Sequence, residues 1–432
     1  MRIRVPGDKS LTQRSLILSA LAEGESRLSG LLYGGDAEST AGALRALGAE
    51  IGRLPSDGSE LVVRGAGLAG LREPERELDL GNSGTGTRLL LGVLAGTPLR
   101  ATVTGDASLS ARPMGRVTEP LSRMGARFEH GGPAGRLPLT VIGSRPLSPL
   151  VWASPVASAQ VKSSILLAGL TGRASVSVTE PRQSRDHTER LFASVGVQVS
   201  TGEAEGGWRV SMTEPPERIG TLDFAVPGDV SSAAFLLALA ALGGAGPSLT
   251  IERVGLNPTR TAFLEVLARM GVDVAVEPHT GAWGEEPVGQ VTAGPAQLRA
   301  VSVGADEGPR LIDELPLVAA LGATAEGVTT ITGAEELRAK ESDRITAMVE
   351  NLRALGVRAE ERPDGLEVEG TDARLVGEVR THGDHRIAMA FGVLGAVARN
   401  RIDIDDRGAA DVSFPGFWTL LDRLAGEGAV RG

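Results

Sequence analysis

The chain has 432 residues, no cysteine, 3% aromatic residues and a formal net charge of −10. That length exceeds one hydrophobic core and suits two domains, and the missing cysteines exclude a disulfide framework, a thiolate nucleophile and cysteine-ligated zinc. The acidic balance argues against a general nucleic-acid surface, so a basic cluster here implies a focused pocket for a small anion. The longest apolar run, Ala233 to Ala245, falls short of the roughly 20 residues of a membrane span. The run from Leu16 to Ala22 follows a charged tip and recurs internally, unlike a signal peptide. A soluble, cytoplasmic protein is expected.

Six segments share a small or polar tip followed by an Ala/Leu-rich run. In chain order they are VPGDKSLTQRSLILSALAEG from Val5, LGNSGTGTRLLLGVLAG from Leu80, SPVASAQVKSSILLAGL from Ser154, VPGDVSSAAFLLALAALGG from Val226, EGPRLIDELPLVAALG from Glu307 and THGDHRIAMAFGVLGAVA from Thr381. Their starts recur about every 70 to 80 residues, which marks a repeated supersecondary unit. The first and fourth both read VPGD-x-S, so the six divide into two threes.

A second, amphipathic helix ending in a small-residue stop follows each tip. The six are TAGALRALGAEI, PMGRVTEPLSRMGARF, HTERLFASVGVQV, PTRTAFLEVLARMGVDV, ESDRITAMVENLRALGVRA and FPGFWTLLDRLAG. Val/Thr-rich pieces such as LRATVTG, ASVSVTE, PSLTIERV and VTTITGA read as strands. Each unit is then a β/α module with two helices and several short strands, three modules make a domain, and the fold class is α/β.

The tips carry the chemistry. A helix N-terminus presents free N–H groups and a positive dipole end to an anion. The charged residues placed there are mostly basic: Lys9, Arg14, Arg112, Lys162, Arg185, Lys340, Arg344 and Arg386. Only three lysines occur among 44 basic residues, all in these patches, which points to positions needing a compact ammonium rather than a guanidinium fork. Asp313 in LIDELP and Glu341 in AKESDR interrupt the cations. Such a pocket suits a phosphorylated, carboxylated substrate and proton transfer. His385 beside Arg386 suits either acid catalysis or a hydrogen bond to ligand or backbone.

GDKSLTQR, GNSGTGTR, ARPM, SAQVKS, SRDHTE, NPTR, LIDELP, AKESDRI and GDHRIAMA, in this order over the whole chain, resemble the 5-enolpyruvylshikimate-3-phosphate synthases. The resemblance implies a two-domain enolpyruvyltransferase-like fold, an inside-out α/β barrel in each domain built from three repeats, with the active site in the cleft between domains. It implies crossings near Gly7 to Lys9 and near Pro227 to Asp229, so that residues 1–8 and 228–432 form one domain and 9–227 the other. The family moves the enolpyruvyl group of phosphoenolpyruvate to the 5-hydroxyl of shikimate 3-phosphate and releases phosphate. It does so in the shikimate pathway to chorismate and the aromatic amino acids, with no metal or organic cofactor.

Carried over residue by residue, the resemblance implies that Lys9, Ser10, Arg14, Ser158, Ala159, Gln160, Arg185, Asp313 and Lys340 hold shikimate 3-phosphate. Lys9, Gly84, Arg112, Gln160, Arg344 and Arg386 would face phosphoenolpyruvate. Asp313 is the candidate base for the 5-hydroxyl, and Glu341 and Lys9 are candidates for protonating the methylene carbon. A methyl group on Gly84 would intrude on an inhibitor slightly longer than phosphoenolpyruvate, such as the family's herbicide glyphosate. Two positions depart from the pattern. Asp411 precedes Val412, Ser413 and Phe414 where many members carry a lysine, and Leu89 stands where some carry proline.

The related UDP-N-acetylglucosamine enolpyruvyltransferases usually use a loop cysteine, absent here. A non-catalytic anion-binding repeat protein would be expected to lose Asp313, Lys340 and Glu341 while keeping the helix pattern. The partners implied are therefore two small-molecule substrates, with no nucleic acid and no membrane, acting on a monomer.

Overall fold

The computed structural model describes residues 1–279 and 285–426. Strand β1 (Arg2–Ile3) opens the chain, followed by α1 (Lys9–Leu21), β2 (Glu23–Ser29), α2 (Gly35–Ala46), β3 (Glu50–Ile51) and β4 (Leu61–Ala66). The second run is β5 (Leu78–Asp79), α3 (Gly84–Ala95), β6 (Arg100–Thr104), the short α4 (Ala107–Ala111), α5 (Gly115–Arg123), β7 (Arg127–His130) and β8 (Leu139–Ile142). The third is β9 (Leu150–Ala153), α6 (Ala159–Thr171), β10 (Val176–Glu180), α7 (His187–Ser194), β11 (Ser200–Ala204) and β12 (Gly207–Met212). Strand β13 (Asp223–Ala225) precedes the fourth run of α8 (Val230–Ala241), β14 (Leu249–Gly255), α9 (Ala262–Arg269), β15 (Val274–Pro278) and β16 (Val288–Ala293). The fifth is β17 (Ser302–Val303), α10 (Gly308–Leu311), α11 (Leu315–Gly322), β18 (Val328–Ile331), a 3-10 turn Glu335–Ala339, α12 (Arg344–Ala354), β19 (Arg358–Arg362) and β20 (Gly365–Glu369). The last is β21 (Val376–Val379), α13 (His385–Gly395), β22 (Arg401–Ile404), a 3-10 turn Arg407–Val412 and α14 (Phe417–Ala425).

A single connectivity recurs. In the second run β5 and β6 are parallel, joined by the crossover helix α3 that a parallel pair requires, and the hairpin β7–β8 adds antiparallel to give the order β5-β6-β8-β7. The third and fifth runs repeat it as β9-β10-β12-β11 and β17-β18-β20-β19. In the first and fourth runs the leading strands are exchanged: β1 pairs in parallel with β14, while β13 pairs in parallel with β2. The sixth run departs from a uniform module, because only β21 and β22 pair and the chain then passes directly into the 3-10 turn and α14. No second alternating Val/Thr pair follows Ile404 to build a hairpin.

Contacts divide the chain into two compact units. One comprises Met1–Pro6, Pro227–Gly281 and Pro287–Gly432; the other comprises Gly7–Val226 and Ala282–Glu286. Each has its own apolar core. In the second unit α1, α3 and α6 pack on one another, and Leu16, Leu90 and Leu166 are fully buried. In the first unit α8, α11 and α13 do the same around Leu236, Leu317 and Phe391. These tip helices are buried nearly all round, α8 at every one of its 12 positions, which is what an Ala/Leu run without a polar face dictates. Close approach needs small residues: a Cβ on Gly92 of α3 would lie 2.3 Å from the Ser164 carbonyl of α6. The second helices are amphipathic and peripheral; α5 buries Val117 and Leu121 while exposing Glu119 and Arg123. Helices inside and half-exposed sheets outside make each unit an inside-out α/β body.

The tips begin where capping dictates. Asp8 accepts from Leu11 N at 2.8 Å, Ser83 from Gly86 N at 3.1 Å, Asp229 from Ser231 N at 2.9 Å and Asp384 from Arg386 N at 2.8 Å. The repeated VPGD aspartate is thus a cap. Among the described residues no helix is long and apolar enough to cross a membrane.

Candidate active site

In the unit built on α1, α3 and α6, the tips bring together basic and hydroxyl side chains. Lys9, the first residue of α1, places Nζ 2.6 Å from Oδ2 of the buried Asp36 in the first turn of α2. One turn on, the buried Arg14 donates through Nη1 to Ser10 Oγ, through Nε to Thr188 Oγ1 at 2.8 Å and through Nη2 to Ser163 Oγ at 3.2 Å. Burial lowers the Arg14 guanidinium to about 10, with Glu189 and Asp8 opposing the fall and Arg185 adding to it, so Arg14 stays charged at neutral pH.

Gln160 at the tip of α6 is fixed from both ends. Its Oε1 accepts from Arg88 Nη1 at 2.7 Å, and its Nε2 donates to Thr85 Oγ1 at 3.0 Å. Arg112, just past α4, donates to Asn82 Oδ1 at 2.7 Å, and Asn82 in turn donates to Asp106 Oδ2 at 2.7 Å. Gly84 opens α3 between these cations: a Cβ there would stand 3.0 Å from Arg112 Nη1 and 3.2 Å from Arg88 Nη1. Ser158 caps α6, Ala159 is its first residue, and Arg185 lies half-buried in the loop before α7.

The other unit gathers carboxylates around one buried guanidinium. Arg344, 1% exposed, donates through Nε to Asp384 Oδ2 at 2.8 Å and through Nη2 to Glu341 Oε2 at 2.6 Å, with its Nη1 3.7 Å from Asp313 Oδ1. Burial alone would lower Arg344, but Asp384, Glu341 and Asp313 outweigh it and hold the pKa above its ordinary value. For Asp384 burial acts upward, and Arg344 reverses it to leave the carboxyl below its usual range. Lys340 pairs with Glu336 at 2.8 Å, one turn back in the 3-10 segment. Arg386 is buried with its guanidinium carbon 5.7 Å from the Phe235 ring centre, and His385 is buried beside it. Glu314, next to Asp313, is buried and accepts from Ser231 Oγ, which also accepts from Arg260 Nη2 at 2.5 Å. Among the described residues no group of three His, Asp or Glu side chains is placed to hold a metal ion.

A family model described as EPSP synthase (3-phosphoshikimate 1-carboxyvinyltransferase) matches residues 1–421. The chain belongs to the EPSP synthase family. A 3-phosphoshikimate 1-carboxyvinyltransferase of Alkalilimnicola ehrlichii is 48% identical over 435 residues, covering 100% of this chain and 94% of its relative. A solved EPSP synthase from Acinetobacter baumannii superposes with a TM-score of 0.85 at 39% identity, covering 99% of this chain and 95% of that one. The enolpyruvyl transferase NikO of Streptomyces tendae, at 21% identity and a TM-score of 0.76 over 98% of this chain and 94% of its own, shares the fold.

Within the EPSP synthase fold, the residues expected from sequence fall into two sets. Lys9, Ser10, Arg14, Gly84, Arg112, Ser158, Ala159, Gln160 and Arg185 sit at the tips of one unit, and Asp313, Lys340, Glu341, Arg344 and Arg386 at those of the other. One expectation is corrected. Lys162 is not presented at its tip: its side chain is 0% exposed, and Nζ pairs with Glu180 Oε2 at 3.2 Å and Glu189 Oε1 at 2.8 Å. It lies on the second turn of α6, which faces the core. Asp36, Arg88 and Asp384 escape sequence reading because an acid at a helix start reads as a cap and a lone arginine as a surface charge. The arginine that ends GTGTR, one turn into α3 from Gly84, is the signal that could have found Arg88.

Proposed function

We propose that the chain transfers the enolpyruvyl group of phosphoenolpyruvate to the 5-hydroxyl of shikimate 3-phosphate, releasing phosphate. The observation that carries this reading is the pair of carboxylates, Asp313 and Glu341, held on the buried guanidinium of Arg344 in a chain that matches the EPSP synthase family from residue 1 to 421. The two substrates bring two phosphates and two carboxylates. Arginine forks bind both groups bidentately, and helix N-termini add N–H donors.

In this reading Asp313 takes the proton of the 5-hydroxyl as its oxygen attacks C2 of phosphoenolpyruvate, while C3 gains a proton from Glu341 or Lys9 to become a methyl group. Loss of phosphate from C2 with one methyl proton restores the double bond. Lys9, Ser10, Arg14, Ser158, Ala159, Gln160, Arg185, Asp313 and Lys340 serve shikimate 3-phosphate. Gly84, Arg112, Arg344 and Arg386, with Lys9 and Gln160, serve phosphoenolpyruvate. Arg88 orients the Gln160 amide from its oxygen end. The same reading has the chain acting as a cytoplasmic monomer.

The test is phosphate release by purified protein given phosphoenolpyruvate with either shikimate 3-phosphate or UDP-N-acetylglucosamine. Release only with shikimate 3-phosphate is expected. Release only with the nucleotide sugar, or with neither, rejects the proposal.

A further inference from the structure

Three ionisable side chains lie buried inside the unit that carries α6. Lys162 and Glu180 are 0% exposed and Glu189 is 6% exposed. Removing charges from water costs several kcal/mol per ion, and apolar residues of similar volume often serve a core equally well. The cluster therefore calls for a reason beyond packing.

Its hydrogen bonds supply one. Glu180, the last residue of β10, accepts from Ser158 N at 2.7 Å, and so fixes the backbone of the residue that caps α6. The same carboxylate accepts from Ser184 Oγ at 2.7 and 2.9 Å and from Ser184 N at 3.4 Å, one residue before Arg185. Lys162 Nζ ties the group together, pairing with both carboxylates and donating to the Ser184 carbonyl at 3.4 Å. Burial pulls the Lys162 ammonium down, but Glu189 and Glu180 overcome that and raise it, so it is a permanent cation. Glu189 is the strongest opposing charge felt by Arg14. Its neighbour Thr188 accepts from Arg14 Nε and is bonded at 2.7 Å to Ser163 Oγ.

We infer that Glu180, braced by Lys162 and Glu189, is a positioning residue for shikimate 3-phosphate, setting the spacing between the Ser158 tip and the Arg185 loop and the orientation of Arg14. This rests on the assignment of Ser158, Arg185 and Arg14 to that substrate under Proposed function. An amide at position 180 keeps the size but presents an N–H₂ where Ser184 N–H and Lys162 both donate, so the two loops separate. Of the residues assigned to phosphoenolpyruvate only Gln160 shares the α6 tip, so that substrate is affected less.

The experiment compares wild type, Glu180→Gln and Ser184→Ala by calorimetric titration with shikimate 3-phosphate alone and by steady-state KM for each substrate. Glu180→Gln is expected to weaken shikimate 3-phosphate binding and raise its KM by roughly tenfold or more, with the KM for phosphoenolpyruvate nearly unchanged. Ser184→Ala, which removes a hydroxyl and strands no charge, is expected to shift the same parameter in the same direction by a smaller factor. A folded Glu180→Gln with wild-type shikimate 3-phosphate parameters, or equal changes toward both substrates, overturns the inference. If Glu180→Gln does not fold, wild-type binding by Ser184→Ala overturns it. A wild-type protein that shows no heat with shikimate 3-phosphate removes the functional reading itself, whereas binding wild type with unaffected variants removes the positioning role alone.

Discussion

The ammonium of Lys9 and the carboxylate of Asp36 are 2.6 Å apart, with the lysine 23% and the aspartate 7% exposed. A partly buried pair of this kind aims the ammonium as well as balancing its charge. Replacing Lys9 with arginine puts a larger planar fork into a space set for a compact group. Lys9→Arg is expected to keep the far-ultraviolet circular dichroism and melting temperature of wild type and to lower kcat by about 100-fold. Asp36→Asn leaves the ammonium without its anchor and is expected to lower kcat/KM by roughly tenfold. Wild-type turnover in Lys9→Arg would remove Lys9 from the reaction.

Asp313 tests the proposed base. Asp313→Asn keeps the shape but cannot accept a proton, so kcat is expected to fall by about 1,000-fold while shikimate 3-phosphate binding, measured by titration, changes much less. A matching loss of binding and turnover would make Asp313 a binding group only.

Asp384 links the site to stability. Its folded-state pKa lies below the ordinary value of 3.8, so the stability it contributes is fully present above that value and is lost as pH falls through the folded-state value. Removing one partner of a buried pair costs about 3–5 kcal/mol. Asp384→Asn is expected to lower the unfolding free energy by that order at pH 7 and to flatten the acid limb of stability against pH, read by urea titrations between neutral and acid pH. An unchanged acid limb would show that Asp384 is not the group titrating there.

Gly84 is crowded by cations rather than by backbone. The added methyl of Gly84→Ala meets Arg112 Nη1 and Arg88 Nη1, the ends of flexible side chains that can give by a few tenths of an ångström. The substitution is expected to leave stability unchanged, to raise the KM for phosphoenolpyruvate modestly, and to raise the inhibition constant of glyphosate much more. Equal inhibition constants for the two proteins would show that Gly84 does not limit the inhibitor's end of the site.

The six tips and their following helices are legible because helices buried all round appear as Ala/Leu runs and peripheral ones as amphipathic patterns with glycine stops. Tip cations stand out because they are charges at the start of apolar runs. Strands of two or three residues, such as β1, β5, β13 and β17, are shorter than any alternation window, so the exchanged pairing left only the repeated VPGD motif as its trace. The scarcity of lysine led to Lys9, Lys162 and Lys340, each of which pairs with a carboxylate. At Lys162, however, the constraint is an internal pair of glutamates, and nothing in SAQVKSS distinguishes a side chain aimed inward from one at the tip. Glu180 and Glu189 depend on segments brought together only by the fold.

The exchange of β1 and β13 fixes an order of assembly during synthesis. Arg2 and Ile3 leave the ribosome well before their partners Thr250 and Ile251, which come almost 250 residues later, a wait on the order of tens of seconds at typical elongation rates. Within Gly7–Val226 the wait is shorter, because β2 finds its partner β13 once Ala225 emerges, before Thr250 and Ile251 are made. The tips carrying Lys9, Arg14 and Gln160 are thus complete while the first strand of the chain is still without its sheet, and the carboxylates around Arg344 are the last part of the chemistry to be made.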